Sequence, residues 1–313
     1  MPAIVTHAVG KSILFGEHAV VYGYPAIAVP IPARKTKVVI KADIRAPSGT
    51  ITFHAPDINI HNEIKNLPAE NVLVRAVQLF KETYKIKRLP SFQLTLTSEI
   101  PVASGLGSSA SISVAIVKAI SQHMGLRLPL EKINELAYEL EKGFHGNPSG
   151  IDNTVVTYEK PIYYVRGEGP QFLQSPIPLH ILLINSHVQS LTSEVVAAVR
   201  QQYEQDKERV QHIFQSIGTI TDDAREALQQ GNKTALGELM NRNHALLQQL
   251  DISTPELDTI AATAREAGAL GAKLCGAGRG GNVIALVREA DIPGIQTALS
   301  AQGFKDSIHT VIQ

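Results

Sequence analysis

Residues 101–111 read PVASGLGSSAS, and the apolar stretch ISVAIVKAI, residues 112–120, follows without a break. Gly105 and Gly107 let backbone N–H groups approach an anion closely. The helix that the apolar stretch predicts would add its unpaired N–H groups and the positive end of its dipole. The hydroxyls of Ser108, Ser109 and Ser111 can bond phosphate oxygens or sit on a metal ion. No lysine follows Gly107, so this is not a Walker loop. Serines also cap ordinary helices, so the stretch alone leaves two readings open, an anion cradle or a capped turn.

The rest of the composition bounds the setting. A chain of 313 residues suggests about two domains. Hydrophobic content of 44% is ample for buried cores. Lys and Arg total 29 against 29 for Asp and Glu, a balance that argues against a general grip on nucleic acid or an anionic membrane. The single cysteine, Cys275, cannot form an internal disulfide, which fits a reducing, cytoplasmic protein. The first twenty residues lack a signal-peptide pattern, and no apolar run reaches the ~18 residues of a membrane span.

Turn and strand signals dominate the first third, with strands expected at 13–15, 26–31, 36–42 and 51–54. Asn71 predicts an N-cap for a helix through about Tyr84, with Val74, Val77 and Phe80 on one face. A strand over 92–97, the serine loop with its helix, and a helix over about 130–143 follow. Two strands are expected at 155–158 and 162–165. The loop-rich passage 167–178 suggests a boundary, giving domains 1–175 and 176–313. The second half predicts a strand at 180–185 and helices near 192–217, 222–230, 233–250 and 255–267. It closes on glycines at 276–281, a strand at 283–287, a helix near 292–302 and a strand at 308–312. Strands and helices mixed in both halves imply two α+β domains.

Two apparent motifs fail. Gly10-Lys11-Ser12 looks like a Walker tail, but Val5 stands where the first glycine belongs. Residues 276–281 fit G-x-G-x-x-G, yet the strand-like NVIALV follows where a dinucleotide fingerprint needs a helix. The segment ELEKGFHGNPSGID, 139–152, carries three acids. Glu139 and Glu141 cannot share a helix face, so one is expected outward and the other inward. Asp152 sits after a constrained Pro-Ser-Gly turn and before an expected strand. Lys11, Glu17 and His18 cluster near the strand-like ILF, and the residues leave open a site there or a simple pairing of Glu17 with His18. No histidine spacing suggests zinc.

Three stretches in this order resemble the GHMP kinase family: AVGKSILFGEHAVVYG (8–23), PVASGLGSSAS (101–111) and KLCGAGRGGNVIALV (273–287). GEHAVVYG and HGNPSGIDN (145–153) are most similar to its mevalonate kinase branch. The resemblance implies an N-terminal domain like the second domain of ribosomal protein S5 and a ferredoxin-like C-terminal domain, with ATP and substrate in the cleft between. It implies an ATP- and Mg2+-dependent kinase acting on the primary hydroxyl of mevalonate, in isoprenoid precursor synthesis. A homodimer is compatible with it.

Roles carry over by position. Asp152 matches the catalytic aspartate and Lys11 the lysine beside it. Ser109 and Glu141 match the magnesium ligands. Pro101, Ala103, Ser104, Gly105, Leu106, Gly107, Ser108, Ser109 and Ala110 match the nucleotide loop. Glu17, His18, Thr192 and Gly278 fall at substrate-side positions.

Two departures stand out. The family usually has proline at Val9 and often glycine at Arg279, whose side chain has phosphate, the substrate carboxylate or solvent as its options. Two rival readings stay in view. A phosphomevalonate kinase would need extra cations for a second phosphate, with Arg279 and Lys142 as candidates. A non-catalytic nucleotide binder would be expected to have lost the aspartate, the metal ligand or the glycine loop.

Overall fold

The computed structural model describes residues 3–101, 104–146 and 148–313. The chain forms two compact units, and neither is a continuous piece of sequence. The first contains residues up to Gly10, Arg34–Pro101 and Gly107–Tyr158. The second contains Lys11–Ala33, the described part of 102–106, and Glu159–Gln313. The expected division at 175/176 falls inside the second unit.

Strands β1 (Ile4–Phe15) and β2 (Ala26–Ala42) contribute residues to both units. The first unit adds β3 (Ile51–Ala55), β4 (Ile60–Glu63), α1 (Val72–Tyr84), β5 (Phe92–Ser98), α2 (Ser108–His123), α3 (Leu130–His145) and α4 (Ile151–Tyr158). Residues Thr36–Ala42 of β2 pair antiparallel with β5, β3 pairs parallel with β5, and β3 and β4 form a hairpin. Helix α1 begins as expected: Asn71 Oδ1 accepts the Leu73 N–H at 2.9 Å, and Leu73, Ala76, Val77 and Phe80 turn one face into the core. Helix α2 is buried almost all round, as the run ISVAIVKAI requires, and packs with Leu94, Phe92 and Leu136. Each such buried Leu or Phe stabilises by roughly 1.5–3 kcal/mol.

The second unit adds β6 (Ile162–Val165), β7 (Gly169–Phe172), β8 (Leu179–Asn185), α5 (Thr192–Gln205), α6 (Lys207–Gln229), α7 (Lys233–Gln249), α8 (Pro255–Glu266), β9 (Gly271–Cys275), β10 (Asn282–Val287), α9 (Ile292–Ala301) and β11 (Ser307–Ile312). Ala26–Ala28 of β2 pair with β6, and β6 with β7, both antiparallel. A second sheet runs β11-β8-β10-β9, antiparallel throughout, with residues of α5, α6, α7, α8 and α9 buried against it. Strand–helix–strand–strand–helix–strand in that spatial order is the expected ferredoxin-like arrangement.

Four expectations need correction. Residues 155–158 close helix α4 rather than forming a strand: Ile151 and Val155 lie four apart and are both buried, so helical burial overrides the strand preference of the β-branched residues. The helix expected over 192–217 breaks at Asp206, whose carboxylate accepts the Arg209 N–H at 3.2 Å and starts α6. Helix α6 then runs through the expected gap at 218–221, because Gly218 and Thr221 are buried along its face. The loop-rich passage 167–178 contains β7, paired with β6.

Candidate active site

The first unit places a buried carboxylate under the start of α2. Gly107 adopts φ 71°, a left-handed turn that glycine takes without steric cost, and α2 begins at the next residue. Ser109 and Ser113 lie four apart and therefore on one face of α2. Ser109 Oγ donates to Glu141 Oε2 and Ser113 Oγ to Glu141 Oε1, both at 2.9 Å. Glu141, on α3, is 2% exposed. Glu139 points outward and pairs with Lys142 at 2.7 Å, so the expected division of the two acids holds. Ser108 and Ala110 share the first turn of α2 with Ser109, and Ala110 is in the core.

Asp152 is half-buried in the first turn of α4, not ahead of a strand. Its neighbours anchor that turn. Asn153 Nδ2 donates to Asn134 Oδ1 at 2.6 Å, and Thr154 Oγ1 donates to the Gly150 carbonyl at 2.7 Å.

The second unit gathers the other group. Lys11 lies on β1 with its side chain 6% exposed, and its N–H donates to the Leu106 carbonyl at 3.0 Å. Its place in a strand disposes of the Walker reading. Asn282 Nδ2 donates to the Ser104 carbonyl at 2.8 Å, and a Cβ on Gly105 would sit 3.8 Å from Gly276 Cα. Residues 104–106 are thus seated against β1 and the glycine-rich turn 276–281. Ala103 lies outside the described residues, and Pro101 is exposed.

Glu17 and His18 do not serve each other, as one reading of the sequence had it. Glu17 is 1% exposed; its carboxylate meets Lys273 Nζ and accepts from Asn243 Nδ2 at 3.2 Å. His18 turns at φ 59° and its Nε2 lies 2.8 Å from the Ala277 carbonyl. Burial lowers the His18 pKa, although the Ala277 carbonyl and the Glu17 charge oppose that shift. A neutral ring carrying its proton on Nε2 satisfies this geometry.

Among the described residues, the N–H groups of Ala277, Gly278 and Gly280 donate to no protein group, whereas the Arg279 N–H between them donates to the Ile252 carbonyl. Thr192 opens α5, is exposed, and makes no side-chain hydrogen bond among the described residues. Cys275 is buried, donates from Sγ to the Asn282 carbonyl at 3.4 Å, and has its thiol pKa pushed up by burial.

Three residues of these clusters carry no role in the sequence reading: Ser113, Asn243 and Lys273. Lys273 left a usable signal, a lone cation inside the otherwise apolar strand GAKLC.

Comparison with known proteins bears on both clusters. The GHMP kinases N terminal domain model matches residues 71–160, and the GHMP kinases C terminal model matches 224–305. The chain is 38% identical to the mevalonate kinase of Pyrococcus horikoshii over 299 residues, 90% of this chain and 88% of that one. The chain belongs to the GHMP kinase family. It is also similar to the mevalonate kinase of Thermococcus onnurineus, at 36% identity over 96% of this chain and 93% of that one. The crystal structure of L. major mevalonate kinase in complex with R-mevalonate aligns with a TM-score of 0.85 at 32% identity, covering 99% of this chain and 96% of that one.

This GHMP kinase is accordingly an ATP-dependent kinase of small molecules. The N-terminal match spans α1 to α4 and includes Ser109, Glu141 and Asp152. The C-terminal match includes Lys273 and the turn 276–281. Lys11, Glu17 and His18 precede both matches. No group of three or more His, Cys, Asp or Glu side chains gathers among the described residues. No helix of the described residues is long and apolar enough to cross a membrane.

Proposed function

We propose that this GHMP kinase transfers the γ-phosphoryl group of ATP to the primary hydroxyl of mevalonate, supplying 5-phosphomevalonate for isoprenoid precursor synthesis in the cytoplasm. The observation that carries phosphoryl transfer is the Glu141 carboxylate, buried under α2 between the hydroxyls of Ser109 and Ser113. The mevalonate kinases to which this chain is similar, aligned over nearly its full length, support the substrate.

Mg2+ is a hard ion that takes oxygen ligands and keeps several waters, so one carboxylate and one hydroxyl suffice from the protein. Glu141 and Ser109 are such a pair, and the donor set fits. Bound there with ATP, the ion would neutralise phosphate charge.

The chain's own residues account for the rest. The small residues Ser104–Ala110 leave room for phosphates, and the N–H groups at the start of α2 face negative charge. The reaction breaks the bond from the γ-phosphorus to the ADP oxygen and forms one to the substrate hydroxyl oxygen. Asp152 orients that hydroxyl and accepts its proton. Lys11 stabilises the charge that develops on the phosphoryl oxygens. Glu17 shapes the substrate side by fixing the turn before His18. His18, Thr192 and the Gly278 amide contact mevalonate's polar groups.

The two cations considered for a second phosphate are committed elsewhere: Lys142 to Glu139, Arg279 to Asp251. That weighs against phosphomevalonate as substrate. An ADP-release assay over mevalonate, phosphomevalonate, homoserine and galactose tests the reading. Turnover on mevalonate alone is expected, and turnover on another member without mevalonate overturns it.

A further inference from the structure

Residues 276–281 have little reason of their own to hold one shape. Gly276, Gly278, Gly280 and Gly281 all sit at positive φ, from 79° to 139°, and glycine moves between hands freely. Arg279, among them, is also left-handed at φ 54°. The turn is therefore shaped by what holds it from outside.

One flank is held by the segment after β8. Ser186 Oγ donates to the Gly281 carbonyl at 2.8 Å, Gly281 N–H donates to the Val188 carbonyl at 2.9 Å, and Ser190 Oγ donates to the Gly278 carbonyl. A Cβ on Gly280 would run into the Val188 carbonyl, so the backbones touch closely there.

The other flank is held through Arg279. Its N–H donates to the Ile252 carbonyl at 2.6 Å. Its side chain reaches back over the α7–α8 connection, with Nε donating to the Asp251 carbonyl at 3.1 Å and Nη2 meeting Asp251 Oδ2 at 3.3 Å. Asp251 is itself left-handed at φ 55°. Two side-chain-bearing residues thus sit in a conformation that disfavours them, joined by a forked contact.

We propose that Arg279 is a positioning residue: by clamping the glycine-rich turn to Asp251, it fixes the Gly278 and Gly280 amides in the arrangement that receives the substrate. The Arg279 side chain is 40% exposed and that of Asp251 86%, so the pair adds little to global stability. Its effect is local, restricting a turn whose glycines would otherwise sample many shapes and so lowering the ordering cost of binding. The same contact removes the guanidinium from phosphate or carboxylate recognition. The inference rests on the reading of Gly278 as a substrate-side residue.

The test compares wild type with Arg279→Gly, Arg279→Lys, Asp251→Ala and the Asp251→Ala/Arg279→Gly double variant. Glycine at 279 relieves the left-handed backbone while deleting the clamp, so its Tm should stay within error of wild type. Its KM for mevalonate should rise about fivefold, the upper worth of an exposed ion pair, with kcat and the KM for ATP unchanged. Hydrogen–deuterium exchange over 276–281 should quicken in the same variant. Lysine should restore part of both effects. Asp251→Ala should show part of the loss, because its carbonyl still accepts from Arg279 Nε. The double variant should match Arg279→Gly, because without the guanidinium the Asp251 side chain has nothing left to hold. Unchanged exchange and KM in Arg279→Gly, or additive effects in the double variant, would overturn the clamp. If wild type fails to turn over mevalonate, the substrate reading falls, while the exchange measurements still decide whether Arg279 holds the turn.

Discussion

Lys273 Nζ and the Glu17 carboxylate form an ion pair between a strand and a turn 256 residues apart in sequence, and neither side chain is open to solvent. The pair is not isolated. Lys273 Nζ also donates to the Leu274 carbonyl at 2.8 Å, and Asn243 Nδ2 donates to the second Glu17 oxygen at 3.2 Å. Charges taken out of water are tolerated only when partnered in this way. Glu17 is adjacent to His18, so the pair fixes the turn that presents that imidazole.

Removing one partner should therefore cost much more than removing both. Lys273→Met leaves the Glu17 charge buried and uncompensated, and should lower unfolding free energy by about 3–5 kcal/mol. The Glu17→Gln/Lys273→Met double variant should recover part of that loss. Urea denaturation of the single and double variants measures both. A double variant as unstable as the sum of the singles contradicts the coupling.

Ser113 tests the metal assignment without touching a proposed ligand. Its hydroxyl holds Glu141 Oε1, so Ser113→Ala frees the carboxylate to turn. Apparent Mg2+ affinity should fall about 10–100-fold, the usual effect of losing a partner behind a ligand. A magnesium titration of initial rates reads the shift. Glu141→Gln should raise the magnesium requirement further, and an unchanged titration there removes Glu141 from the metal.

Asp152→Asn keeps the size of the side chain but removes its charge and its capacity to accept the proton. The expected loss is about 10²–10⁴ in kcat. ATP binding, followed by equilibrium titration, should survive. Near-normal turnover would remove Asp152 from the chemistry.

His244 should make stability depend on pH. It is 2% exposed, its Nδ1 accepts the Leu274 N–H at 3.2 Å, and its Nε2 lies 3.1 Å from Asp258 Oδ1. Burial pushes its pKa down to about 4, aided by the charges of Lys273 and Arg265 and opposed by Asp258. Between the usual histidine value and pH 4 the unfolded chain binds the proton that the folded chain refuses. Stability is therefore full above about pH 6.5 and falls as pH drops toward 4, by roughly 3 kcal/mol at most. Denaturation curves across that range should flatten in His244→Asn, whose amide oxygen can still take the Leu274 N–H. An equally steep pH dependence in that variant would assign the effect elsewhere.

Much of the architecture was legible because its signals are local. Asn71 capped α1 as expected, and the strand after the glycines is β10. Val155 and Val156 misled because β-branched residues favour strands, while Ile151 and Val155 in fact bury one helical face. That one of Glu139 and Glu141 turns inward followed from their two-residue offset, and only the family resemblance singled out Glu141. Its second partner, Ser113, did not follow, because the contact joins two helices. Lys273 and Asn243 escaped for the same reason. Their partner, Glu17, is brought to them only by tertiary folding, and no spacing encodes it.

The interleaving of the two units orders their synthesis. Residues Lys11–Ala33 leave the ribosome early, yet Ala26–Ala28 find their β6 partners only after the whole first unit has been translated. The run AIAVPI, on a strand already paired with β1, must therefore wait for this second partner while helices α1 to α4 condense around their own core. A nascent chain stalled near Tyr158 would carry a completed first unit and a strand edge still lacking β6, the kind of surface that invites aggregation or a chaperone.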